Sequence, residues 1–287
     1  MNIDDLLAAT ALQLAKAGIE DASLDARLLF QHLTAMTRSR LVLQGKQSVD
    51  DSTLQQYQRL VALRSQRIPL QHLTGSQEFW SMDFVVSSAV LIPRPETEFL
   101  LEQALAVCSS SCKVSCALDM CTGSGVIAVV LAKELRCRVT AVDISEAALE
   151  IAAENISRHR ATNQIALVCS DLFAALNRNR KFDVIVSNPP YIADAQIGHL
   201  EPEVSRAEPR LALSGGPTGL RLIEQIAVGA EEFLQPGAWI FLEIGADQKN
   251  AVTALFKDSG RQYDEVKVIE DWSGRPRVLQ ARFAPNS

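Results

Sequence analysis

The sequence has no apolar run near the ~20 residues that a membrane-spanning helix needs. It also lacks a basic leader. Met1, Asn2, Ile3, Asp4 and Asp5 open the chain with acid where a signal or transit peptide carries base. These two absences lead us to expect a cytoplasmic protein with no membrane partner. Base is not in excess either: 28 Lys and Arg stand against 34 Asp and Glu, a net charge of −6. Wrapping nucleic acid normally requires a basic face, so no direct nucleic-acid binding is expected, although a local basic patch is not excluded. Histidine is scarce beside the cysteines. Cys108, Cys112 and Cys116 recur every fourth residue, a spacing that suggests a metal or iron-sulfur cluster. Yet the segment is Ser-rich without His, and Cys116 opens an apolar run that reads as a strand. With Cys121, Cys137 and Cys169, these residues read as ordinary reduced thiols, and no metal is expected.

What is present is apolar material, 47% of 287 residues, enough for a full α/β domain and a smaller companion. Residues 1–75 read as helices only. Leu6, Leu7 and Leu14, then Leu24, Leu28, Leu29 and Leu33, then Leu54, Tyr57, Leu60, Val61 and Leu63 recur at helical spacing. Asp50 or Ser52 can cap the last of these, and Arg64, Arg67 and Pro69 close the region. Residues 76–92 form a linker in which 78–90 alternate like two short strands, with a turn near Ser81 and Met82. From 93 to 287 the pattern is strand and helix in turn, with strands expected at 114–118, 138–142, 165–168, 182–186 and 239–243. Alternation of this kind means a mainly parallel, doubly wound sheet. Segments 262–269 and 277–282 follow without a full helix between them and can pair antiparallel at the sheet edge.

Two constellations fall at the carboxyl ends of these strands, where such sheets bind ligands. The first is Cys121, Thr122, Gly123, Ser124 and Gly125, after the first strand and before a helix starting near Val126. Glycines let the backbone approach a ligand, and the helix start offers free amides; a tight connection is the plainer reading of such a turn alone. Asp143 ends the second strand, where a carboxylate can accept from both ribose hydroxyls; helix capping is its plainer role, one that Ser145 can also fill. Asp171 follows the third strand, placed for an adenine amino group or for a cap, and Leu172 for the ring. The third glycine of the dinucleotide fingerprint is missing, and nothing resembles a P-loop, so a nucleoside without pyrophosphate fits better. Adenosylmethionine is the obvious candidate.

The second constellation is Asn188, Pro189, Pro190 and Tyr191, after the fourth strand. Two prolines fix the backbone and remove two donors, leaving nearby carbonyls as acceptors; the Asn188 side-chain oxygen is another. Two acceptors at an angle can take both protons of one NH₂ group, on an amide or an aromatic amine, and point its nitrogen at an electrophile. Such a nitrogen is a poor nucleophile, and alignment can supply several of the roughly 7–11 kcal/mol available to good orientation. Tyr191 offers a face for a planar group, worth about 0.5–1.5 kcal/mol beyond its burial. A proline-rich turn is the plainer reading of this run alone.

The chain resembles the protein-glutamine N5-methyltransferase family (PrmC, also called HemK) over nearly its whole length. The resemblance is carried by residues 69–75 with Glu78 and Phe79, by LIPRPETE at 91–98, the glycine turn, Asp143, NPPY at 188–191 and EPRLAL at 208–213. Gly215, Gly216, Gly219, Asp271, Gly274 and Arg275 complete it. NPPY is shared with adenine DNA methyltransferases; LIPRPETE and the helical N-terminal region are more particular to this family. The resemblance implies a class I methyltransferase fold: α/β, Rossmann-like, with a mostly parallel seven-stranded sheet and an antiparallel edge strand, behind a small all-helical domain and a β-hairpin linker. It implies S-adenosyl-L-methionine as cofactor and S-adenosyl-L-homocysteine as product, bound by residues 121–125, Asp143, Asp171, Leu172 and Asn188. It implies that Asn188, Pro189, Pro190 and Tyr191 hold the glutamine of a Gly-Gly-Gln loop in class I peptide chain release factors, with the helical domain recognising the rest of the factor. Arg94, Glu96, Thr97 and Glu98 either line the cofactor mouth or form a first helical turn with Pro95 at its start.

Two residues depart from the family. Cys121 stands where glycine is commonest, so its backbone must avoid positive φ or tolerate it at a cost. Leu172 stands where some members have an aromatic. Two rival readings remain at this level: an adenine N6 methyltransferase acting on a flipped base, disfavoured by Asp4, Asp5, Glu20, Asp21, Asp25, Asp50 and Asp51, and a non-catalytic adenosylmethionine-binding protein, in which NPPY would be surplus.

Overall fold

The structure is a computed structural model and describes residues 1–111, 114–258 and 260–284. The chain divides into two units, one of Met1–Ser76 with Glu201–Ala207, the other of Gln77–Leu200 with Glu208–Ser287.

The first unit is helical: α1 (Ile3–Lys16), α2 (Ala22–Thr34), α3 (Arg38–Leu43), α4 (Asp51–Ser65) and α5 (Leu70–Thr74). Asn2 caps α1 and Asp50 caps α4, each side chain accepting a first-turn backbone N–H at 2.9 Å. The buried faces follow helical spacing, Ile3, Leu6, Thr10 and Leu14 on α1. They close around Phe30 and Tyr57, whose rings meet edge to face at 5.4 Å. The Tyr57 hydroxyl donates to the Ala26 carbonyl at 2.8 Å, so the buried phenol leaves no orphan donor. Pro69 does not end the helical region as expected; it caps the short helix α5, a role its fixed φ of −54° permits. Glu201–Ala207 joins this unit through charge. Arg64, buried, donates to Asp25 at 2.7 Å and to Glu203 at 2.8 Å, while Arg67 donates to Glu203 at 2.6 Å and Glu201 at 2.7 Å.

The second unit opens with a hairpin, β1 (Ser76–Phe79) and β2 (Met82–Val85), turned by Trp80 and Ser81, both at positive φ. Then come α6 (Pro95–Ser111), β3 (Cys116–Met120), α7 (Val126–Glu134), β4 (Arg138–Asp143), α8 (Glu146–Arg158), β5 (Ile165–Cys169) and β6 (Phe182–Ser187). Three short helices follow: α9 (Asp194–Ile197), α10 (Pro202–Ser205, within the segment of the first unit) and α11 (Arg210–Leu213). α12 (Arg221–Ala230), β7 (Leu234–Glu243), α13 (Lys249–Lys257), β8 (Tyr263–Glu270) and β9 (Pro276–Phe283) complete it. The first strand begins at Cys116 rather than at Val114, and β7 starts earlier than expected, at Leu234.

The seven strands lie in the order β5-β4-β3-β6-β7-β9-β8. Every pair up to β7 is parallel, and β9 runs antiparallel to both β7 and β8. The terminal hairpin is thus at the sheet edge, with β9 its antiparallel member and β8 outermost. Successive residues of β7 alternate between two cores, Trp239 and Phe241 in one, Ile240 and Leu242 in the other. The first core takes Leu100 and Leu101 of α6 with Val129 and Val130 of α7; the second takes Ile223 and Ile226 of α12 with Val252 and Phe256 of α13. Burial on both faces is why these strands read as unbroken apolar runs. The chain leaves β3 toward β4 on one side and returns to β6 on the other, so the crevice between the ends of β3 and β6 is the switch point.

No helix among the described residues is long and apolar enough to cross a membrane. Nor is any group of three or more His, Cys, Asp or Glu among them placed to hold a metal ion; Cys112 lies outside the described residues.

Candidate active site

At the switch point the glycine turn and NPPY stand side by side. β3 and β6 pair Met120 with Ser187, and the Ser187 hydroxyl donates to the Met120 carbonyl at 2.6 Å. A cavity of about 310 Å³ opens there, within the size range of small-ligand sites. Cys121, Thr122, Gly123, Ser124, Asp143, Asp171, Leu172, Asn188 and Pro190 line it. Gly125, Pro189 and Tyr191 do not. Gly125 is the N-cap of α7 at φ +81°, and a Cβ there would lie 3.2 Å from the Ala152 Cβ, so its glycine serves helix packing. Gly123, at φ +53°, has open space where a Cβ would stand.

The two departures from the family each take a left-handed backbone: φ is 61° at Cys121 and 47° at Leu172. Each costs about 1–2 kcal/mol relative to a relaxed residue. Both positions flank the cavity, where surrounding structure sustains such strain.

Asp143 is fastened rather than capping. Its Oδ2 accepts from the Gly123 N–H and its Oδ1 from the Ser145 N–H, both at 2.9 Å, while Ser145 caps α8. The Asp171 side chain is exposed, and the neighbouring Ser170 hydroxyl accepts the Ala175 N–H at 2.9 Å. Neither carboxylate is spent on a helix end. Asn155, fully buried on α8, ties the hairpin to the turn: it exchanges two bonds with the Val85 backbone and donates to the Ser124 carbonyl at 2.9 Å. A polar residue on the buried face of a helix was its only signal in the sequence.

Asp119 lies beneath the turn, completely buried. Its Oδ2 accepts from the Thr122 hydroxyl and from the Ala128 N–H in the first turn of α7, and its Oδ1 has no partner among the described residues. Burial first, countered by Thr122 and Ala128 and aided by Asp143, pushes its carboxyl from 3.8 up to about 8. The folded protein therefore holds this proton where the unfolded chain has released it, and stability falls as pH rises between those values. In urea denaturation series across that window, Asp119→Asn is expected to flatten the fall; equal slopes would remove Asp119 as its source.

On the NPPY side, Asn188 donates from Nδ2 to the Thr97 hydroxyl oxygen at 3.0 Å, and Thr97 donates to Glu243 Oε2 at 2.7 Å. Tyr191 donates its hydroxyl to Glu243 Oε1 at 3.1 Å, its half-buried ring packing against the second core. No hydrogen bond to Asn188 Oδ1 or to the Pro189 carbonyl oxygen is made among the described residues; Asn188 lines the cavity, whereas Pro189 is buried outside its lining.

The LIPRPETE segment splits by role. α6 begins at Pro95, and Thr97 lines the cavity. Glu98 accepts the Trp80 N–H at 2.6 Å, and Arg94 donates to both oxygens of Glu208 at 2.7 and 2.8 Å. Glu208 also accepts the Ile92 N–H at 3.1 Å. Arg94, Glu96 and Glu98 do not reach the cavity lining. Glu208 and Glu243 were missed in the sequence as site residues; Glu243 has a retrospective signal, a lone acid closing the apolar run 239–242.

Residues 5–75 match the PrmC N-terminal domain and residues 96–251 the methyltransferase small domain. The chain is 39% identical over 260 residues to the release factor glutamine methyltransferase of Koribacter versatilis, spanning 90% of each. It is 40% identical over 284 residues to the protein of the same name from Cereibacter sphaeroides, spanning 99% of each. A solved methyltransferase from Pyrococcus furiosus shares the fold with a TM-score of 0.53 at 20% identity, over 72% of this chain and 91% of that one. With a helical unit, a sheet and a switch-point cavity of this kind, and with relatives matched nearly end to end, the chain belongs to the release factor glutamine methyltransferase family.

Proposed function

We propose that this protein methylates the side-chain amide nitrogen (N5) of the glutamine in the Gly-Gly-Gln loop of class I peptide chain release factors, with S-adenosyl-L-methionine as donor and S-adenosyl-L-homocysteine as product. The observation that carries the reading is Asn188, which lines the cavity beside the glycine turn with its Nδ2 held by Thr97 and its Oδ1 free of any partner among the described residues; the Pro189 carbonyl would be the second acceptor. They suit glutamine and adenine alike; relatives named for glutamine methylation over 90% or more of the chain favour glutamine.

The residues fit that cofactor. Each Asp143 oxygen keeps a lone pair beyond the N–H it holds, enough for the two ribose hydroxyls. Asp171, exposed at the cavity, would take the adenine amino group, and Leu172 would cover the ring. Bound there, the sulfonium supplies an electrophilic methyl group.

The chain's own part is position. An amide nitrogen shares its lone pair with its carbonyl. When Asn188 and Pro189 each accept a hydrogen bond from one of its N–H groups, the nitrogen is held at a single orientation and can pyramidalise toward the methyl; the N–C bond forms as the S–C bond breaks, and one N–H proton is lost to water. Pro189 and Pro190 are buried, so the acceptors are held on a stiff backbone. Tyr191, its ring on the second core and its hydroxyl on Glu243, supports the site from behind the cavity lining. The helical unit recognises the rest of the factor, and the protein works in the cytoplasm, without membrane or direct nucleic-acid partner.

The test uses methyl-labelled cofactor with a release factor, the same factor with its loop glutamine replaced, and adenine-containing DNA. Label on the intact factor alone is expected. Label on the DNA would make the enzyme an adenine methyltransferase, and label on nothing would make it a binding protein.

A further inference from the structure

A carboxamide has two ends of nearly equal shape and opposite polarity. Asn188 can serve an incoming NH₂ group only if its oxygen faces the cavity; turned by half a rotation, it would set N–H against N–H. Nothing within NPPY selects the orientation. The selection comes from two residues far away in the chain.

We propose that Glu243, acting through the Thr97 hydroxyl, is the positioning device that turns the oxygen end of Asn188 toward the substrate. This rests on the reading of Asn188 as the acceptor of the substrate amide, and adds what enforces it. A hydroxyl carries one proton. Thr97 spends it on Glu243 Oε2, at 2.7 Å, because a carboxylate has none to give. What Thr97 then shows Asn188 is a lone pair, which only the N–H end can meet, and it does so at 3.0 Å. Glu243 cannot swing away, since its other oxygen takes the Tyr191 proton at 3.1 Å. The donor chain therefore runs in one direction, Asn188 to Thr97 to Glu243.

The burial of the two residues argues for a purpose. Glu243 is 1% exposed and Thr97 is 3% exposed. Strand β7 is otherwise apolar on this stretch, and a well-packed apolar residue at its end would be as stable or more so. Burial raises the Glu243 carboxyl above its usual range; the Thr97 and Tyr191 hydroxyls and Arg277 on β9 lower it, and Glu96 on α6 raises it. Ionised, Glu243 is acceptor only, the state the chain of bonds requires.

Three variants test the device. Thr97→Val keeps the shape and removes the hydroxyl; its kcat on the release factor is expected to fall at least about tenfold, more than any change in cofactor affinity by calorimetry. Thr97→Ser, which restores the hydroxyl without the methyl, is expected to recover most of that loss. Glu243→Gln, equal in size but carrying its own donor, frees the Thr97 proton to point at Asn188, and is expected to lose rate like Thr97→Val. In ¹⁵N-labelled protein without substrate, the Asn188 side-chain NH₂ signal should move in Thr97→Val and stay near its place in Thr97→Ser. Wild-type kcat in Thr97→Val, or Thr97→Ser as impaired as Thr97→Val, would overturn the proposal. If wild-type protein labels no factor, the functional reading fails; the Asn188 signal still decides the orientation, and its indifference to Thr97→Val would overturn that too.

Discussion

Asn188→Ala is expected to slow methyl transfer by about 10²–10³-fold, the usual cost of deleting one preorganised polar group at a reacting centre. The truncation removes the Oδ1 acceptor that fixes one substrate proton, while the Pro189 carbonyl, a backbone group, survives. One contact cannot hold an NH₂ group against rotation, so the loss should appear in kcat rather than in cofactor affinity. The contacts that hold Asp143, from Gly123 and Ser145, involve no atom of Asn188. The same truncation also strips Thr97 of the N–H it accepts, but Thr97 keeps its bond to Glu243, and the fold should stand. Single-turnover rates with saturating cofactor, beside calorimetric cofactor binding, separate the two effects. Full activity would show that the side-chain oxygen is not part of the chemistry.

Arg94→Ala is expected to destabilise the protein by about 3 kcal/mol at neutral pH, because it leaves a buried carboxylate without its cation. The Glu208 side chain is 0% exposed, against 34% for Arg94. After the truncation, Glu208 keeps only the Ile92 N–H. The reverse change, Glu208→Gln, leaves a charge that can turn to water and should cost less. Burial, countered by Arg94 and the Ile92 N–H, already raises the Glu208 carboxyl above its usual range, and loss of Arg94 raises it further. A carboxyl whose folded pKa is raised loses stabilising value as pH rises, so the deficit of Arg94→Ala should shrink as pH falls toward the ordinary Glu value of about 4.3. Urea midpoints at neutral and mildly acid pH measure this. A deficit that ignores pH would mean that the arginine acts through packing alone. Arg94→Ala combined with Glu208→Gln should recover part of the loss, since the pair fails together.

The ion pair also gives LIPRPETE and EPRLAL a common physical meaning. As sequence they are two motifs; in the structure, Glu208 of one holds the Ile92 backbone and Arg94 of the other. The first turn of α6, and with it Thr97, is thereby set against the cavity. Of this segment's Arg94, Glu96, Thr97 and Glu98, Thr97 alone reaches the cavity, whereas Arg94 and Glu98 are spent on fastening the segment.

Local rules settled much of this protein in advance. Alternation of period two, spacing near 3.6, the Asp50 and Ser145 caps and a hairpin turn expected near Ser81 and Met82, found one residue earlier at Trp80 and Ser81, depend on residues a few positions apart, and such interactions can be read along a line. The same holds for the address of the site, because in a doubly wound sheet the residue after each strand is already known to stand at the ligand edge. Thus the glycine turn, Asp143, Asp171 and Asn188 were placed together before any coordinates. What the line of residues does not carry is pairing at long range. Thr97 meets Asn188 across 91 positions and Glu243 across 146, and Arg94 meets Glu208 across 114. No periodicity spans such distances; only the order of strands brings the partners to one edge. The same is true of backbone cost. Cys121 was suspect as a residue in glycine's place, but its φ of 61° follows from the turn's path between β3 and α7. Sequence alone therefore determined that a fold of this family carries a ligand crevice at this sheet edge, with Cys121, Thr122, Gly123, Ser124, Asp143, Asp171, Leu172, Asn188 and Pro190 in its lining. Tertiary structure decided which way Asn188 faces, which carboxylates are fastened and which are open, because those depend on hydrogen bonds between groups that meet only after the chain has folded.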